Sequence, residues 1–107
     1  MKILITVDTE DSDLSVDSPR AAYRMVDWPS WPNQGEDIYP FIVNSDVDRT
    51  VIYVGHYFAR GYVYIVTVPF SADHLAELLN AELDDWVIST TKNFVSEYEA
   101  AKRFLSE

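Results

Sequence analysis

The chain has 107 residues, with 18 acidic and 8 basic side chains and a formal net charge of −10. Such a field repels phosphate backbones, so direct contact with DNA or RNA is not expected. Cysteine is absent, which excludes disulfides and thiolate metal sites and accords with a cytoplasmic setting.

At this length a single α+β domain spanning 1–107 is expected, and a 48% hydrophobic share is enough to supply its core. No apolar run approaches the roughly 20 residues that cross a bilayer, so no membrane contact is expected.

In chain order, residues 2–8 read as a strand that stops abruptly at Asp8. An acidic loop follows, holding Glu10, Asp11, Asp13 and Asp17 with no base among them. Ser18 and Pro19 suit an N-cap and a first helical position, which predicts a short helix near residue 20. That helix should end near Trp28, because Pro29 disfavours helical geometry in the residue before it. Trp28 and Trp31 fall in a proline-containing loop, and residues 37–44 read as an edge strand in which Pro40 cannot donate.

The runs 50–58 and 62–68 predict a hairpin across Ala59-Arg60-Gly61, with Phe58 facing Tyr62 and Gly61 in the left-handed region. In that register Tyr53 and Tyr57 share a face with Val51 and Gly55, while Tyr62 and Tyr64 lie on the opposite face with His56. His56, within an apolar run, reads as a core residue.

The C-terminal third reads as helical. Ser71 is a good N-cap, and Phe70 before it can staple onto Leu75. Leu75, Leu78, Leu79, Leu83, Trp86 and Val87 share one helical face, but Ile88 falls on the polar side, so the helix should bend or end there. Phe94, Tyr98, Ala101 and Leu105 form a second stripe. The absence of Gly and Pro after Pro69 permits one long helix over 71–106, although usual helix lengths favour two. The expected fold is therefore an antiparallel sheet of three to four strands, with two C-terminal helices packed on one face and a short helix near residue 20.

Chemistry is sparsely encoded. Counted from Asp8 or from Asp11, the acidic loop lacks the glycine and the terminal glutamate of a calcium-binding loop. Two scattered histidines and three glycines provide neither a catalytic triad nor a phosphate-cradling loop. No catalytic residue, metal or cofactor is expected.

Two surfaces stand out instead. Asp73, Glu77 and Asp84, with Asp85 beside them, fall in a narrow helical sector, where spaced carboxylates can imitate a row of phosphates; Glu10, Asp11 and Asp13 extend the acidic set. Tyr53 and Tyr57 in the acid-free stretch 49–72, with Trp28 and Trp31, supply aromatics of the kind enriched at interfaces.

The expected function is that of a non-catalytic acidic protein docking on a basic, nucleic-acid-binding protein surface as an inhibitor or decoy, as phage anti-restriction and anti-CRISPR proteins or nuclease immunity proteins do. The alternatives are an assembly subunit, such as a homodimer joined through the tyrosine hairpin, and a small metal-dependent hydrolase.

Overall fold

A computed structural model describes residues 1–11, 14–38 and 47–106, with Leu83 described by its backbone only. It is an α+β fold. Strands β1 (Lys2–Asp8), β2 (Pro19–Asp27), β3 (Val51–Tyr57), β4 (Tyr62–Thr67) and β5 (Val87–Thr90) form one sheet in the order β3-β4-β1-β2-β5. Helix α1 (Ala72–Ala81) and helix α2 (Glu97–Leu105) complete it.

The sheet is mixed rather than antiparallel: β1 runs parallel to β4, and the other three pairings are antiparallel. Among the described residues, no helix is long and apolar enough to cross a membrane.

The central strand explains the layering. Ile3, Leu4, Ile5, Thr6 and Val7 are all buried, and their side chains alternate between two separate cores. Ile3, Ile5 and Val7 join Ala22, Val63 and Ile65 beneath Leu75, Leu78 and Leu79 of α1. Leu4 joins Ala21, Tyr23 and Tyr62 beneath Ala100 and Ala101 of α2. The helices therefore cover opposite faces, not the single face expected. The path of the chain gives the reason. Helix α1 connects β4 to β5 across one face, and only the other face is left for the tail that follows β5.

Three further sequence expectations are corrected. Residues 19–27 form strand β2, not a short helix: pairing with β1 along seven residues outweighs the helical leaning of Ala, Arg and Met. The helix begun at Ser71 stops at Ala81 without Gly or Pro, and a 3₁₀ turn at Leu83–Asp85 leads into β5. In β5 Val87 packs into the α2-side core and Ile88 against the α1-side core, which accounts for the misfit of Ile88 on a helical wheel.

Thirdly, of the stripe expected on the last helix only Ala101 faces the sheet. Phe94, Tyr98 and Leu105 are exposed, while Val95, Ala100 and Ala101 are buried. Ser96 caps α2 by accepting from the Glu99 amide, and this sets a start at Glu97 that turns the alanines to the sheet. Other expectations hold: Ser71 caps α1 by accepting from the His74 amide, and Phe70 and Leu75 share one core. The expected edge strand lies largely outside the described residues; of its residues, Asp37 makes a single bridge to Thr50.

The close approach of α2 is testable. Ala100→Leu should overpack the helix–sheet contact and lower stability by about 1–3 kcal/mol in urea unfolding. Phe94→Ser, at an exposed position, should stay within about 0.5 kcal/mol of the parent.

Candidate functional site

Strand β1 delivers Asp8 to the end of the sheet, and hydrogen bonds fix the loop beyond it. The Phe70 amide donates to the Asp8 carbonyl at 2.8 Å, and the Glu10 amide donates to the Phe70 carbonyl at 2.9 Å. The Asp11 carboxylate then accepts from the Ala72 amide at 2.7 Å, adding to the Ser71 cap at the start of α1. Here it meets the positive end of the helix dipole. Glu10 and Asp11 thus sit beside Asp73, some sixty residues away in sequence, in the first turn of α1.

The expected row of helical carboxylates is only half formed. Asp73 and Glu77 are exposed on α1, about 6 Å apart along its axis. Asp84 and Asp85 lie past its end in the 3₁₀ turn, so helical spacing does not relate them to Glu77. Arg24 lies 3.6 Å from Asp85 and 3.4 Å from Glu82, which offsets part of the negative charge there. Asp13 lies outside the described residues.

Next to the acidic loop, the sheet end opens into a cleft of about 770 Å³. Its floor follows from strand register. Asp8 lies opposite Ala21, and Ala21 lies opposite Ser89, so three neighbouring strands place a carboxylate, a methyl and a hydroxyl side by side. Tyr23, two residues along β2 from Ala21, closes the floor, and Phe94 stands at the mouth with 76% of its surface exposed. A bulge between Pro19 and Ala21 makes Arg20 the extra residue of β2. Its Nε donates to the Thr91 hydroxyl at 2.9 Å and its Nη2 to the Leu14 carbonyl at 3.1 Å.

Asp8 is electrostatically the odd member of this cleft. Among the described residues its carboxylate has no hydrogen-bond donor and no counter-charge. Burial alone raises its carboxyl above the ordinary value of 3.8. Arg20, Tyr23, Ser89 and Phe94 are not candidates from the sequence, and Asp8 enters there only through a calcium-loop register that fails. One signal was present: Leu4, Thr6 and Asp8 alternate on a single strand face, which turns an acid toward a core-bearing side of the sheet.

The aromatic candidates divide between the two faces. The hairpin pairs Tyr57, not Phe58, with Tyr62, across a turn at Phe58–Arg60 that closes on Gly61 with φ 94°. This shift by one residue moves side chains between faces. A bulge at Ile52 then sends Val51 to the α1 side and leaves Tyr53 on the α2 side. Tyr53, Tyr57, Tyr62 and Tyr64 therefore gather on one face.

Tyr57 stacks on Tyr64 at 6.0 Å, and Tyr53 meets Tyr64 edge-on at the same distance. Gly55 permits this crowding, since a Cβ there would lie 3.0 Å from the Tyr53 hydroxyl. The buried Tyr62 hydroxyl donates to Glu97, which also pairs with Arg60 at 3.5 Å, and Arg60 lies over the Tyr57 and Tyr98 rings. Burial pushes the Tyr62 and Tyr64 phenols up to about 12.

Trp28 and Trp31 pack against the α1-side core. Trp31 meets His56 edge-on at 4.8 Å, and His56 is exposed rather than in the core.

Among the described residues, no three His, Asp or Glu side chains converge to hold a metal ion. The fold and the cleft define a class: a five-stranded mixed sheet, helix-covered on both faces, with an acidic opening at one end. Against family models, curated proteins and solved structures, the chain finds no match.

The Asp8 environment predicts a pH-dependent cost. The folded state holds the Asp8 proton more tightly than the unfolded chain, so this contribution to stability is intact below pH 3.8 and is lost as pH rises through the raised value. Asp8→Asn should therefore raise the melting temperature at neutral pH by about 1–4 °C, and the gap should close in acid. Thermal unfolding across pH checks both parts.

Proposed function

We propose that this chain is a non-catalytic binding protein that presents an acidic surface to a basic, nucleic-acid-binding protein and acts as an inhibitor or decoy. The supporting observation is the meeting of Glu10 and Asp11 with the Asp73 end of α1, which merges two acidic stretches at one end of the sheet. Asp73, Glu77 and Asp84 are exposed and have no basic partner among the described residues, so their field is available to a partner. Rim charges of this kind act chiefly on the rate of encounter and on partner choice.

The test uses the protein's own captured partner. Proteins retained from host lysate at low salt and released at high salt are identified, and association is then measured with purified components. Neutralising Asp73, Glu77, Asp84 and Asp85 to the matching amides should slow association by about tenfold and flatten its salt dependence. An unchanged rate and salt slope would remove α1 and the turn after it from the interface.

A second reading, self-assembly, draws on the tyrosine face. Tyr53 and Tyr98 expose 45% and 49% of their surfaces there, beside the ring cluster. Tyr53→Ala should stay folded and abolish any concentration-dependent oligomer in sedimentation. Tyr62→Ala, which empties a buried site, should cost about 3–5 kcal/mol of stability. A parent chain that sediments as a monomer at every concentration excludes this reading.

A further inference from the structure

We infer that the cleft at the end of β1 is a receptor for one cationic side chain, lysine or arginine, carried on a basic segment of the protein partner. This rests on the acidic-surface reading above and names the contact within it.

Three features of the cleft converge on that ligand. The first is Asp8, whose half-buried carboxylate lacks any donor or counter-charge among the described residues although Arg20 lines the same cleft. The Arg20 guanidinium is turned to the Thr91 hydroxyl and the Leu14 carbonyl. A buried or half-buried charge gains most from an opposite charge that brings its own donors. An incoming ammonium or guanidinium supplies both.

The second is the apolar and aromatic lining. Phe94 is the most exposed large hydrophobic side chain among the described residues, and it stands at the mouth, with Pro69 and Ala21 also lining the cleft. A long aliphatic stem can lie along such surface while its charged head reaches inward. The exposed Phe94 also offers a ring of the kind that attracts a cation.

The third is selectivity by charge. Among the described residues lining the opening, Asp8, Glu10 and Asp11 stand against one base, Arg20. An acidic ligand is repelled, and a neutral one leaves Asp8 as unpaired as before. A volume of about 770 Å³ exceeds one side chain, so the neighbouring backbone of a bound segment can enter too, which favours a protein over a free amine.

Titration of the full chain, followed by its amide NMR spectrum, tests the assignment. The probes are N-acetyl-lysine methylamide, N-acetyl-arginine methylamide and the uncharged N-acetyl-norleucine methylamide. At least one cationic probe should produce saturable shifts at Ala21, Ser89 and Phe94, with weak, about millimolar, affinity. Norleucine should bind about tenfold more weakly or not at all. Asp8→Asn should weaken the cationic probe by about fivefold or more. Because that variant is expected to be at least as stable as the parent, the loss will not reflect unfolding. Glu99→Gln, exposed on α2 and outside the cleft lining, should leave probe binding unchanged.

Absence of saturable shifts at the cleft, equal binding of norleucine, or undiminished binding by Asp8→Asn would each overturn the inference. A cleft silent to both cations beside an intact salt-dependent partner association removes the cleft and spares the wider reading. Cation binding in a chain whose partner association is salt-independent does the reverse.

Discussion

Burial of β1 on both faces is the constraint from which the other elements take their places. A strand whose side chains enter two cores needs a neighbour along each edge and a layer over each face. Strand β2 supplies one edge through a direct antiparallel return, and β4 supplies the other in parallel. A parallel partner cannot follow through a tight turn, so the chain first reaches the far edge and comes back through the β3–β4 hairpin. Helix α1 then carries it across the Ile3, Ile5 and Val7 face to β5, and α2 closes the Leu4 face.

The same geometry explains why the polar chemistry collects at one end. Strands β1, β4 and β5 point the same way, so their last residues and the loops that follow meet there. Crevices at the carboxyl ends of parallel strands are recurrent ligand sites for this reason. Here the loop after β1 contributes acids, the β4–α1 junction contributes Pro69 and the start of a helix, and the residues after β5 contribute Thr91 and Phe94. Asp8 belongs to both the core strand and the opening. Its burial works against the fold, and the cation receptor proposed above would offset that cost, a tension common at functional sites.

Away from this end, the hairpin shows how small register changes redistribute a surface. One residue of slip at the turn places four tyrosines together rather than two on each face, and the bulge at Ile52 turns Val51 away from them. Gly55 leaves room for them, and the contacts of Arg60 and Tyr62 with Glu97 tie the turn to the first turn of α2. The acid-free character of residues 49–72 is consistent with this, since β4 is an interior strand and half of the tyrosine cluster is covered.

The sequence by itself determined the features that depend on near neighbours. Strand β1, the two hairpin strands, the Ser71 cap with its Phe70–Leu75 contact, and the left-handed Gly61 were all legible, because spacing and local sterics govern them. So was the acidity of the loop after β1. What only the tertiary structure decided depends on partners distant in the chain. Residues 19–27 have a helix-compatible sequence and become a strand because β1 and β5 pair with them on both sides. Val87 fitted the helical stripe and Ile88 did not, and as strand residues they enter opposite cores; of the second stripe Ala101 reaches the sheet, beside Ala100, while Phe94, Tyr98 and Leu105 stay outside. The cleft was illegible for the same reason. Asp8, Ala21, Ser89 and Phe94 become neighbours only through strand register and chain crossing, and no local spacing in the sequence encodes that proximity.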